Sequence, residues 1–405
     1  MDSGHTAWLL MSSALVLLMT PGLAFFYAGM VRAKNVLAML MKNYVAMGIV
    51  TILWVLVGAS LTFSGSTTVG GYGVIGDFEL WGLRDLGLSN DHFGLPYPDN
   101  VQMMFQLTFA IITPALIAGA IAERMKFSAW AIFVAIWSLL VYVPMAHWVW
   151  GGGFIGADIE ALDFAGGLVV HVNAGAAALA LIMVLGPRLG FRKDIIRPHS
   201  LPLTVLGAGI LWSGWFGFNG GSAFAADAAA GNAFLTTQVA AATAATAWII
   251  AEAMTHGKPT TLGFVSGAVA GLVAITPAAG FVGPLGAMLL GLIAGVVCFY
   301  ALRLKFMLNL DDSLDVVAVH LVGGIIGSIL LGILAEEAYG GVAGSVDQLG
   351  RQALSVVIAL VYSFAVTFVI AKALDMTMGI RATEDEERGG LDLALHEEQA
   401  YGFVE

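Results

Sequence analysis

Apolar residues along this chain come in long runs separated by short polar segments. Eleven runs reach the roughly 20 residues that an α-helix needs to cross a hydrocarbon core of about 30 Å. They cover 7–31, 37–63, 100–121, 127–148, 164–186, 201–224, 233–254, 261–279, 283–302, 314–335 and 353–374. The pattern predicts an all-α polytopic membrane protein with eleven transmembrane helices. Residues 66–98, rich in Gly and turn formers, form a loop on this reading. The expected organisation is a membrane domain over 1–376 and a polar tail over 377–405.

Composition supports the bilayer as solvent. Hydrophobic residues are 59% of the 405 and charged residues 11%, against about a quarter charged in an ordinary soluble domain. Too few polar residues exist to coat a water-soluble core of this size. Gly is abundant, with 51 residues, and membrane helices use it to bring backbones together. The runs Gly263-Gly267-Gly271, Gly291-Gly295 and Gly323-Gly327 have small-xxx-small spacing and read as helix contacts.

Charge orients the spans. With the N-terminus outside, the inner loops hold Arg32, Lys34, Arg124, Lys126, Arg188, Arg192, Lys193, Arg197, Lys258, Arg303, Lys305, Lys372, Arg381 and Arg388, fourteen of the seventeen basic residues. Arg84 and Arg351 fall outside, and Lys42 lies near the inner end of the second span. One missed span would reverse every later loop, so this bias supports the count of eleven and an inner C-terminus. Thirteen of the twenty-eight acidic residues fall on the outer side. That charge either concentrates cations there or simply keeps the surface solvated. The lone Cys298 excludes an intrachain disulfide. No basic segment precedes the first apolar run, so that run is expected to remain as a helix.

The fifth and tenth spans share a local pattern, Asp-x7-His-x2-(Ala/Gly)-Gly. Asp163 precedes His171 by eight residues and Asp312 precedes His320 by eight. If these spans close two five-helix units, the odd number inverts the second unit, as in many transporters, and the eleventh helix is an addition. Eight helical residues rise about 12 Å, which would carry each histidine from opposite surfaces toward mid-membrane, with Asp163 and Asp312 capping the helices. Histidines at that depth avoid lipid and face a lumen or each other. Neither has a second His or a carboxylate at i+3 or i+4, so no metal is expected. Imidazoles can hydrogen-bond a small polar molecule and take a proton near neutral pH.

Aromatic and hydroxyl residues gather at the outer helix ends: Phe105 and Phe109 on the third span, Trp148 and Trp150 after the fourth, Trp215, Phe216, Phe218 and Ser222 on the sixth. An interfacial belt accounts for some of these rings. A cation site is the alternative, since a ring face attracts an ammonium-type cation by about 0.5–2 kcal/mol. Spacing does not decide which tryptophan faces a pore.

Several long motifs resemble the ammonium transporter family of the Amt/Rh type. They are Asp163-Phe164-Ala165-Gly166-Gly167-Leu168-Val169-Val170-His171, the segment from Asp311-Asp312 to His320, Pro21-Gly22-Leu23-Ala24-Phe25-Phe26-Tyr27-Ala28-Gly29, and Ala122-Glu123-Arg124-Met125-Lys126-Phe127-Ser128. The resemblance covers essentially the whole chain. It implies an ammonium-recruiting site of Phe109, Trp150 and Ser222, a stacked gate of Phe109 and Phe218, and twin histidines His171 and His320 lining an apolar pore. Asp163 and Asp312 would support them.

It further implies transport of ammonium, with methylammonium as an analogue, in a homotrimer with one pore per protomer. The tail from Gly379 to Leu393 resembles the regulatory C-terminus of the branch that binds a cytoplasmic PII protein (GlnK-like). The expected location is the cell membrane, in contact with lipid. Neither enzyme activity, a cofactor nor a nucleic-acid partner is expected. Two alternatives stand beside the transporter: a passive Rh-like ammonia channel, and an ammonium receptor without appreciable flux.

Overall fold

The computed structural model describes residues 1–402 except Asp85 and Ile195. Asp85, one of the acidic residues assigned to the outer side, and tail residues 403–405 lie outside the described residues. Ten described helices are long and apolar enough to span a membrane. They are α1 (Ser3–Met30), α2 (Ala33–Phe63), α3 (Asp99–Ile117), α4 (Phe127–Ala157), α5 (Gly167–Leu185), α6 (Leu201–Gly221), α7 (Ala228–His256), α9 (Pro284–Met307), α10 (Val317–Leu334) and α11 (Val346–Met378). The shorter apolar α8 (Thr261–Ile275) stands between α7 and α9. The protein is a polytopic α-helical membrane protein, and each of the eleven apolar runs corresponds to one of these helices.

Where helix ends depart from the apolar runs, the local chemistry says why. Helix α11 starts at Val346 rather than 353, because Ser345 caps it through the Gln348 amide and Asp347 pairs with Arg351 one turn on. At its other end it runs to Met378, so the boundary placed after 376 falls inside its last turn. Helix α3 stops at Ile117, and the small residues that follow turn back through Glu123, which has a left-handed φ of 69°. The 66–98 loop contains a two-stranded hairpin, β1 (Thr67–Val69) with β2 (Tyr72–Ile75). The pair Val69–Tyr72 closes it around Gly70-Gly71.

The two five-helix units meet through their corresponding members. Helix α1 lies along α6 so closely that a Cβ on Gly207 would sit 2.6 Å from the Gly22 carbonyl oxygen. Helices α5 and α10 cross in the same manner near their first turns. Large apolar residues such as Leu10, Ile52, Met183, Ile250, Leu285 and Val361 stay exposed on the outside of the bundle. A soluble monomer rarely presents this much contiguous apolar surface.

After α11 the chain folds back under the bundle as α12 (Glu384–Gly389) and α13 (Leu391–His396). The Lys126 amide donates to the Ile380 carbonyl and the Ala382 amide to that of Arg124. Asp392 accepts the Leu37 and Ala38 amides at the start of α2. The tail is therefore packed against the loops on the face opposite Ser222.

Candidate functional site

Both histidines sit at the beginning of their helices. Asp163 lies outside α5, and its carboxylate accepts the amides of Gly166, Gly167, Leu168 and Val169 at 2.6–3.2 Å. Four charge-assisted bonds of about 1.5–3 kcal/mol each hold this first turn. Gly166 makes the approach possible with a φ of 119°, a conformation closed to side chains bearing a Cβ. Asp312 does the same for α10 with two amides, Val316 at 3.0 Å and Val317 at 2.7 Å.

The expected 12 Å helical climb from Asp to His is thus corrected. Residues 161–166 and 311–315 enter the bundle as irregular chain, and His171 and His320 fall in the opening turns, Gly167–Val172 and Val317–Leu321. Irregular backbone is tolerated at depth only where protein surrounds it, and Asp163, Asp311, Asp312 and Ser313 are all buried. Both opening turns are wide, with i→i+5 hydrogen bonds, a geometry frequent at functional sites. Each carboxyl group also faces the positive end of its helix.

The crossing brings the two rings together. Nδ1 of His171 and Nδ1 of His320 are 3.2 Å apart, with ring centroids 5.3 Å apart and planes 25° from parallel. A hydrogen bond between two Nδ1 atoms needs one protonated and one bare. In a neutral pair, the ring that donates has a bare Nε2 and the ring that accepts carries its proton on Nε2. The Nε2 of His171 is buried with no partner among the described residues.

On the Ser222 side of His171 lies an aromatic stack. Phe109 and Phe218 close on each other at 4.4 Å between centroids, and each is 1% exposed. Trp150 meets Phe109 edge to face at 5.8 Å, and Phe105 flanks it at 5.0 Å. The Trp150 indole donates to the Asp163 carbonyl oxygen, and the Ser222 hydroxyl to that of Phe218. Their protons are therefore committed, leaving ring faces and hydroxyl lone pairs as the unused groups. Such a surface suits a cation that donates hydrogen bonds. Trp148 points elsewhere, bonding the Val74 carbonyl oxygen and packing on Tyr362 at 4.4 Å.

Beyond Phe218, three cavities follow one another, sharing lining residues and widening. A narrow cavity of about 10 Å³, room for about one water molecule, is lined by Phe218, Ile112, Leu116, Trp215, His171 and His320. His320 also lines the next cavity, of about 110 Å³, together with Tyr27, Leu314 and Asp315. Leu314 and Asp315 in turn border a mouth of about 450 Å³ beside Arg188. The two histidines stand at the neck, between apolar walls and the first polar ones.

Comparison with known proteins bears directly on this arrangement. Residues 7–401 match the Ammonium Transporter Family. The chain belongs to the ammonium transporter family. It is 48% identical over 438 residues to an ammonium transporter of Mycobacterium tuberculosis, covering 100% of this chain and 91% of that protein. It is 46% identical over 405 residues to ammonium transporter Amt1 of Archaeoglobus fulgidus, covering 99% of this chain and 100% of the relative. Among solved structures it resembles a sensor Amt protein, with a TM-score of 0.90 and 31% identity over 97% of this chain and 98% of the other.

Within this family fold, sequence reasoning left Trp215 unassigned. Its ring stacks on His171 at 5.6 Å and 20°, fixed by an N–H bond to the Thr276 hydroxyl. The signal was present, since Trp215 precedes Phe218 by three residues and so shares its helix face.

A second cluster lies at the wide end. Arg188 binds Asp311 in a fork at 2.8 and 2.9 Å and reaches Glu123 at 3.2 Å. Glu123 also takes the Arg32 side chain and amide and the Asn35 side chain. Burial alone would raise the Glu123 carboxyl; the Arg188 and Arg32 charges override it and hold it below its usual range. Asp311 is likewise depressed, with Arg188 and Arg124 outweighing burial. Glu387 of the tail joins through Arg381 and the Leu189 amide.

Proposed function

We propose that this chain recruits ammonium at Phe109, Trp150 and Ser222, strips its proton near the Phe109–Phe218 gate, and conducts ammonia past His171 and His320. The observation that carries this reading is the Nδ1–Nδ1 approach of 3.2 Å at the neck of an apolar passage. Intact ammonium would face a desolvation cost of several kcal/mol in such a passage, whereas neutral ammonia would not. Ammonia can donate to a bare Nε2 and accept from a protonated one, and a neutral imidazole pair supplies both.

The proton follows its own route on this reading. It is taken up at the bare Nε2 of His171, while the Nδ1 proton of His171 passes to Nδ1 of His320. The Nε2 proton of His320 then leaves toward Asp315 and the wide mouth. Atoms balance as one ammonium in, one ammonia and one proton out, and the pair is left in the opposite tautomer. Transport is electrogenic as a result. Recording on solid-supported membranes with reconstituted protein tests it: ammonium gives a current, and a passive gas channel gives none.

Topologically, the Ser222 face is outside and the tail cytoplasmic, supported by the fourteen inner basic residues. The tail, 377–405, is a regulatory segment, supported by its contacts with the start of α2 and the loops after α3 and α5. A homotrimer and a cytoplasmic PII partner belong to the same proposal and follow from the family resemblance. The exposed apolar flanks suit contact with lipid and with neighbouring copies.

The likeness to a sensor Amt protein favours a second reading, a receptor that binds ammonium without appreciable flux. Binding without current, at ammonium concentrations that saturate the site, would select it.

A further inference from the structure

The shared pattern of the two half-repeats does not end at the histidines. Each is followed, four residues later, by a glycine: Gly175 after His171 and Gly324 after His320. Residues four apart lie one above the other on a helix face, so each glycine occupies the surface directly beyond its histidine.

Their surroundings are reciprocal. A Cβ on Gly175 would lie 2.5 Å from the Cβ and the backbone nitrogen of Leu321, the residue after His320. A Cβ on Gly324 would lie 3.0 Å from the Cβ of His171 and 3.1 Å from the nitrogen of Val172, the residue after it. The glycine of each helix therefore receives the backbone of the other at the site of its histidine. Carbon atoms in ordinary contact stay about 3.5–4.0 Å apart, so a methyl at either position must push the helices away from each other. The imidazole bond has little room for this, since 3.2 Å is already at the long end for a nitrogen donor.

We infer that Gly175 and Gly324 are positioning residues, which set the separation at which His171 and His320 share a proton. The inference rests on the paired-imidazole reading above and adds what fixes that pair. It also grades the two sites. At Gly324 the neighbour has to yield only a few tenths of an ångström, whereas at Gly175 the obstruction includes backbone.

Gly327, one turn further along α10, is the internal comparison. A Cβ there would lie 2.1 Å from the Ala274 carbonyl oxygen on α8, away from the histidines. Gly327→Ala is thus at least as tight a clash, in the same helix, but against α8 rather than against α5, which carries His171.

The test uses full-length protein with ¹⁵N-labelled histidine in liposomes, and reads the ¹⁵N–¹⁵N coupling across the Nδ1–H···Nδ1 bond by solid-state NMR. The coupling is expected in the wild type and in Gly327→Ala, reduced in Gly324→Ala and absent in Gly175→Ala. Ammonium current should fall roughly tenfold or more in Gly175→Ala, the scale of an ångström misplacement, and less in Gly324→Ala. Because Gly324→Ala needs so small an adjustment, it keeps the test decisive even if Gly175→Ala does not fold.

Undiminished coupling in folded Gly175→Ala or Gly324→Ala would overturn the inference, as would equal loss in Gly327→Ala. No coupling in the wild type would overturn the paired imidazoles themselves, and this inference with them. Loss of coupling in the variants at unchanged current would uphold the positioning role and overturn the relay.

Discussion

The indole N–H of Trp150 donates to the carbonyl oxygen of Asp163 at 3.0 Å. The same Asp163, through its carboxylate, binds the four amides that open α5. One residue thus orients the Trp150 ring beside Phe109 and holds the turn that carries His171. The Trp150 ring and the histidine neck are built as a single unit.

Replacing Trp150 separates the two parts of that role. Trp150→Leu removes a ring face worth about 0.5–2 kcal/mol to a bound cation, which should raise half-saturating ammonium roughly 2- to 30-fold. Trp150→Phe retains a ring but has no N–H for Asp163, so its shift should be smaller. The concentration dependence of ammonium current measures both, and equal half-saturation in wild type and Trp150→Leu would remove Trp150 from the recruiting site.

Asp163→Asn should be the more damaging of the two helix-cap substitutions. An amide offers one neutral acceptor oxygen where the carboxylate serves four amides, a loss of about 3 kcal/mol or more. Asp312, serving two amides, should cost less as Asn. Thermal unfolding in detergent ranks them, and a greater loss at Asp312 would contradict the capping account.

Acid should loosen the tail. Glu123 and Asp311 both have carboxyls depressed in the folded protein. Their contribution is fully present above the unfolded carboxylate value of about 4, and is lost as pH falls through the lower folded values. Protease accessibility of the segment after Met378 should therefore be constant from pH 8 to about 5 and rise below about 4. Glu123→Gln should show the raised accessibility already at neutral pH, because Arg188 and Arg32 lose their shared anion.

How much of this could be read from sequence depends on the kind of signal. Long apolar runs mark the spans because the bilayer requires them, and the charge bias supports the count. Helix ends were less legible where a polar turn continues a helix, as at Asp347 and Arg351, or where small residues leave one, as between Ile117 and Glu123. The histidine pair was legible because it repeats. The helical climb from Asp to His was misjudged, since spacing cannot tell helix from the irregular chain that runs from Asp163 to Gly166. Trp148 and Trp150 differ by two residues on one helix end, and only the packing of Phe109 against Trp150 and Tyr362 against Trp148 separates them.

The central claim is that two hydrogen-bonded imidazoles pass a proton while ammonia crosses beside them. The most direct measurement is charge movement by liposome-reconstituted protein on a solid-supported membrane, comparing wild type with His320→Leu in ammonium, methylammonium and potassium. The account predicts wild-type currents with ammonium and methylammonium, none with potassium, and none from His320→Leu. An undiminished ammonium current in His320→Leu would contradict it.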